Sequence, residues 1–189
     1  MKGLRYFFTW TLCFFVMSTN AQKINQNWKS DLNKSVEEFK KCTQTIEDGV
    51  NPCSMYTGES LNTVYQVNDF YSEDNEDYLS GTEIIKILES STQWKKLGLA
   101  LIQEVLNEAQ NNANANKAVV AVYVPEDGIG HIALILPGEL TPSGSWGLNT
   151  PNSASFFMND QQRSYSEKGL SYAFSKSMLG RISLFVRIY

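Results

Sequence analysis

Two residues far apart in the chain are equipped for covalent chemistry together: Cys53, in Asn51-Pro52-Cys53-Ser54-Met55-Tyr56, and His131, the single histidine, in Gly128-Ile129-Gly130-His131-Ile132-Ala133. A thiol at the start of a helix gains from the positive end of the helix dipole, which favours the reactive thiolate. One imidazole can then take up its proton and return it to a leaving group. The pair therefore points to nucleophilic acyl transfer, with His131 as base and then acid. The backbone N–H of Cys53 is the natural oxyanion donor at a helix start.

Such a pair needs two rigid elements to carry it. Trp28, Leu32, Val36, Phe39 and Cys42 recur at helical spacing and predict a helix over residues 27–44. A cluster of turn formers, Glu47-Asp48-Gly49-Val50-Asn51-Pro52, delivers the chain to a second helix over 54–67, in which Gly58 is a weak point. The acidic stretch 71–78 has no apolar period and reads as a surface loop. Ser80-Gly81-Thr82-Glu83 has the form of a capping box, and a further amphipathic helix is predicted over 97–109. The asparagines of 111–116 suit a helix end, where the left-handed conformation is tolerated.

The β-branched run 119–124 predicts a strand, followed by a turn and then the His131 strand over 131–136, which Pro137-Gly138 stops. An antiparallel return through Ser145-Trp146-Gly147-Leu148-Asn149 sets His131 opposite Thr150 and brings Asn149 toward the imidazole. Residues 169–177 read as a short helix or an irregular segment, and 182–189 alternate as a last strand. With helices early and strands late, the pattern predicts an α+β fold. Its N-terminal helices would pack on a C-terminal antiparallel sheet.

Residues 1–21 read as a secretory signal. Lys2 and Arg5 precede an apolar run from Tyr6 to Met17, and Thr19 and Ala21 prepare a cut before Gln22. The apolar run is short for a bilayer span, so no integral membrane association is expected after cleavage. Residues 22–189 then form a single domain. Their acidic balance, within a formal net charge of −4 for the whole chain, argues against a nucleic-acid partner. One histidine and two cysteines past residue 21 make a poor metal ligand set, and no phosphate-binding glycine loop is present, so neither metal nor cofactor is expected. Export leaves the state of the thiols open: Cys42 can belong to the buried stripe of the first helix, or an oxidising compartment can join it to Cys53.

Cys53-Ser54 starting a helix and Gly130-His131-Ile132-Ala133 starting a strand resemble the papain-like peptidoglycan amidases and endopeptidases of the NlpC and CHAP groups, over residues 51–152. The resemblance implies an exported periplasmic or extracellular cysteine hydrolase that cuts an amide bond in a peptidoglycan stem or bridge peptide. It carries Cys53 over as nucleophile and His131 as base. A polar residue on the following strand would orient the imidazole, for which Asn149 is the first choice and Asn152 and Ser145 follow. The competing expectation is a noncatalytic exported binding module with a Cys42–Cys53 disulfide. A toxin-like amidase or an inactive relative that binds stem peptides stands behind these two.

Overall fold

The computed structural model describes residues 23–46, 51–126 and 130–189. The signal segment 1–21, the cut before Gln22 and most of the turn ahead of Pro52 lie outside the described residues. In chain order the elements are α1 (Trp28–Phe39), α2 (Tyr56–Tyr65), β1 (Tyr71–Ser72), β2 (Asp77–Tyr78), α3 (Gly81–Ser90), β3 (Trp94–Leu99), α4 (Gln103–Asn114), β4 (Val119–Tyr123) and β5 (His131–Ile135). They are followed by β6 (Thr141–Ser143), β7 (Leu148–Thr150), β8 (Asn152–Ser155), β9 (Tyr165–Gly169) and β10 (Ile182–Arg187). The molecule is thus mixed helix and sheet, with antiparallel pairing in every described sheet.

A six-stranded sheet in the order β3-β10-β4-β5-β8-β9 forms the centre. Side-chain alternation divides its residues between two cores. Val120 and Val122 of β4 and Ile132 and Leu134 of β5 face a layer made by α1, α2 and α3, where Leu32, Phe39, Leu61 and Ile84 are fully buried. Val119, Ala121, Ala133 and Ile135 face the opposite layer, which α4 covers with Val105, Leu106 and Ala109. The sheet is therefore covered on both faces, and its central strands read as nearly continuous apolar runs for that reason. Tyr65 of α2 donates its buried hydroxyl to the carbonyl of Ile135, which locks α2 to β5.

Three local expectations are corrected. Residues 97–109 are not one helix: β3 runs to Leu99 and α4 begins at Gln103. Gly98, at φ +151°, lies in β3 beside a register shift in the β3–β10 pairing, and the chain turns only after Leu99, before α4 begins. The partner of the His131 strand is not the return through Asn149. Residues 141–150 instead form their own small hairpin, in which Thr150 pairs with Thr141, and β8 takes the place beside β5 with Ala133 opposite Ser155. Finally, α1 stops at Phe39 rather than running to 44. The acidic stretch 71–78 folds back as the short β1–β2 hairpin, and Asn116 takes the left-handed conformation expected after α4.

Candidate functional site

Where α1 ends, the chain turns through Lys40 and Lys41, whose N–H groups bond back to Val36 and Glu38 carbonyls. Cys42 is thereby carried toward the segment that precedes α2. Its Cα lies 6.0 Å from that of Cys53, and the two sulfurs are joined in a disulfide. The expectation of a free Cys53 thiol beside a Cys42 buried on α1 is corrected accordingly. The helix ends before it reaches Cys42, so Cys42 is released to meet its neighbour. Gln161 holds this junction from the other side of the sequence, donating through Nε2 to the carbonyls of Phe39 at 2.7 Å and Cys42 at 2.9 Å.

Cys53 is fully buried and sits in a 3-10 turn, Pro52–Met55, that runs into α2. Pro52 occupies the first helical position, where its missing N–H costs nothing. Asn51 caps the turn: its Oδ1 accepts from the Cys53 N–H at 2.9 Å, and its carbonyl accepts from the Ser54 hydroxyl at 2.7 Å. The backbone N–H expected to serve as oxyanion donor is therefore already bonded in this form.

His131 opens β5 opposite Tyr123 of β4. Its Nε2 shares a 2.7 Å hydrogen bond with Ser155 Oγ on β8. The ring stacks on Phe157 with centroids 4.8 Å apart and meets Phe174 edge-on at 5.3 Å. This apolar setting, followed by the positive charge of Arg163, pushes its pKa from 6.5 down to about 4, so the imidazole is neutral at ordinary pH. Gly130 precedes it in a tight place: a Cβ there would lie 2.4 Å from Ile85 Cδ1 and 3.0 Å from the Tyr123 carbonyl, so Ile85 would have to turn aside and the backbone to give.

Cys53 and His131 border the same cavity, of about 1000 Å³. It lies across the end of the sheet where β4 closes and β5 opens. Ser54, Thr57 and Thr82 line the side nearer α2 and α3, and Phe157, Phe174 and Met178 line the side of the α4 layer. His131 shares the strand face of Ala133 and contacts Phe174 of the α4 layer, whereas Cys53 belongs to the α1–α3 core. The sulfur is directed to Cys42, and among the described residues Ser155 is the hydrogen-bond partner of the imidazole.

The other sequence candidates lie elsewhere. Asn149 is exposed on β7, with its backbone N–H and carbonyl both bonded to the Gln103 side chain. Asn152 donates its side-chain amide to the Pro137 carbonyl, and Ser145 shares a hydrogen bond with Ser143. None of the three is a hydrogen-bond partner of the imidazole: Ser145 and Asn149 belong to the 141–150 hairpin outside the central sheet, and Asn152 starts β8 with its side chain turned to Pro137. Ser155 occupies that position instead. Its signal was the polar run Asn152-Ser153-Ala154-Ser155, readable as cleft-lining but impossible to register against β5 without knowing that a hairpin intervenes. Trp146 is core, with its indole N–H donated to the Phe174 carbonyl.

Among the described residues no group of three or more His, Cys, Asp or Glu stands together as a metal ligand set. No helix among them is long and apolar enough to cross a membrane. No protein-family model matches the chain, and no curated protein matches it either.

Proposed function

We propose that this chain is an exported cysteine hydrolase of amide bonds in peptidoglycan peptides, held in the present form with its nucleophile masked as a disulfide. The observation that carries this reading is the common cavity: the Cys53 turn and a histidine secured by a buried serine open onto one space of about 1000 Å³, large enough for a short peptide. Reduction by a dithiol would convert the bridge to two thiols and leave the reductant as its own disulfide. For this chemistry the freed Cys53 sulfur, buried on the α1–α3 side, has to turn into the cavity toward His131, whose ring packs against Phe174 on the opposite side. In the tautomer in which Nε2–H donates to Ser155, Nδ1 keeps the lone pair that accepts the thiol proton.

A neutral imidazole with a pKa of about 4 is a weak base beside a bridged sulfur. A thiolate nearby reverses this, because an opposite charge favours the imidazolium. The thiolate attacks the amide carbonyl, His131 protonates the departing amine, and water releases the acyl enzyme. The tetrahedral oxyanion competes with Asn51 Oδ1 for the Cys53 N–H, so Asn51 must yield during turnover.

A second reading, the noncatalytic exported binding module, is favoured by the bridge itself. Purified sacculi exposed to wild type with and without dithiothreitol, to Cys42→Ala and to Cys53→Ala separate the two. Fragments released by reduced wild type and by Cys42→Ala, but not by Cys53→Ala, support the hydrolase. Absence of Cys53-dependent fragments from a folded, reduced protein leaves the binding module.

A further inference from the structure

Arg163 is the only Lys or Arg among the described residues that line the cavity. It ends a 3-10 turn, Gln161–Arg163, between β8 and β9. Its guanidinium lies 4.8 Å over the ring of Phe157, and the same ring stacks on His131 at 4.8 Å. A guanidinium placed over an aromatic face gains from the ring's negative potential without using its N–H groups, which stay available to a planar acceptor. Arg163 is therefore held near the proposed scissile position by a rigid aromatic spacer rather than by a hydrogen bond.

Its ionic neighbours leave it underused. Asp160 approaches only to 3.9 Å, with both side chains at least half exposed. A pair so long and so solvated contributes little. The other carboxylate among the described lining residues, Glu83, is spent on α3, where it accepts from the Ser80 N–H at 2.9 Å and the Ser80 hydroxyl at 2.7 Å. Among its described lining residues the cavity thus combines apolar walls of Phe157, Phe174 and Met178 with one cation, Arg163, whose fork is not filled.

We propose that Arg163 is the specificity-determining residue of the cavity, taking the free carboxylate of an acidic peptide by a two-pronged hydrogen bond. The Phe157 spacer places the guanidinium within roughly 10 Å of the imidazole, about three residues of extended chain. The recognised carboxylate accordingly lies within about three residues of the scissile amide. This location relative to a scissile bond rests on the hydrolase reading; the recognition itself does not.

The test uses a synthetic stem peptide with free carboxylates and its counterpart in which they are carboxamides. Binding to the oxidised wild type, in which the sulfur is masked, is measured by calorimetry alongside Arg163→Gln and Arg163→Lys. The carboxylate peptide should bind wild type at least tenfold more tightly than the carboxamide. The preference should vanish in Arg163→Gln and persist in part in Arg163→Lys, a point charge without the fork. Loss of preference with retained binding of the carboxamide would also show that Arg163→Gln is folded. A preference unchanged in Arg163→Gln, equal affinities in wild type, or binding of neither peptide overturns the proposal. Cleavage by Cys42→Ala is followed in parallel. An Arg163-dependent preference without cleavage removes the hydrolase and leaves the recognition standing, whereas cleavage of both peptides with equal kcat/KM does the reverse.

Discussion

Ser155 Oγ and His131 Nε2 lie 2.7 Å apart across the β5–β8 pair, with the serine fully buried. The contact fixes which ring nitrogen faces the protein and which remains for chemistry. If Ser155 positions the base, Ser155→Ala should lower kcat of the reduced enzyme by about 10–100-fold with KM nearly unchanged, since the loss falls on proton transfer and not on substrate binding. Ser155→Thr, which keeps the hydroxyl, should recover part of the rate. A kcat/KM loss arising wholly from KM would reject the positioning role.

The disulfide makes a sharper demand. On the proposed hydrolase reading Cys42→Ala removes the mask and leaves Cys53 as nucleophile, so this variant should hydrolyse without reductant, whereas wild type should need dithiothreitol and Cys53→Ala should be inactive under both conditions. Closing so short a loop stabilises a fold by about 3 kcal/mol. Cys42→Ala should therefore be less stable than oxidised wild type by that order, read from denaturant midpoints.

Burial of a neutral imidazole ties stability to acid. His131 takes up its proton near 6.5 when unfolded and near 4 when folded. Its contribution is fully present above pH 6.5 and is lost as pH falls toward 4, by about 3 kcal/mol from a shift of this size. Urea unfolding at pH 7 and pH 4 should show the loss in wild type, and a His131→Gln variant should show a smaller difference between the two pH values. Equal pH dependence in both proteins would mean that other groups carry it.

At the far edge of the sheet, Asp69 accepts from Arg187 Nε at 2.6 Å and Arg187 Nη2 at 2.9 Å, and from the Trp94 indole N–H at 2.9 Å. Asp69→Ala leaves a mostly buried guanidinium and an indole donor unpaired where β3 meets β10. A destabilisation of about 3 kcal/mol is expected, measurable by thermal melting. The peptide-binding preference assigned to Arg163 should be unaffected, because this cluster is not part of the cavity.

Gly130→Ala probes the start of the His131 strand. Its Cβ would be driven into Ile85 and the Tyr123 carbonyl, and the latter is backbone and cannot swing away. A cost of about 1–3 kcal/mol is expected. Displacement of β5 should also appear as a shifted imidazole resonance in NMR.

Part of this molecule was legible without its fold. Apolar runs of β-branched residues identified β4 and β5, and strict alternation identified β10, because a sheet face buried on a core imposes period two directly on the residues. The turn at Pro52 and the capping residues at Ser80 and Glu83 were likewise local events with local signals. The types of Cys53 and His131 gave the expectation of acyl transfer, which the proposed assays test. Leu97 misled, since an apolar residue near a helix adds to the helical period whether it belongs to the helix or to the preceding strand.

What the amino-acid order determined by itself was therefore the nature of most elements, set by interactions within a few residues, and the choice of Cys53 and His131 as candidates. Tertiary structure decided the rest. Ser155 rather than Asn149 meets His131 because a hairpin stands aside from the sheet, and register is a property of pairing between strands. Cys42 meets Cys53 because α1 ends at Phe39 and a turn pinned by Gln161 brings two Cα atoms to 6.0 Å. A disulfide depends on distance and direction in space, and neither is encoded in a separation along the chain.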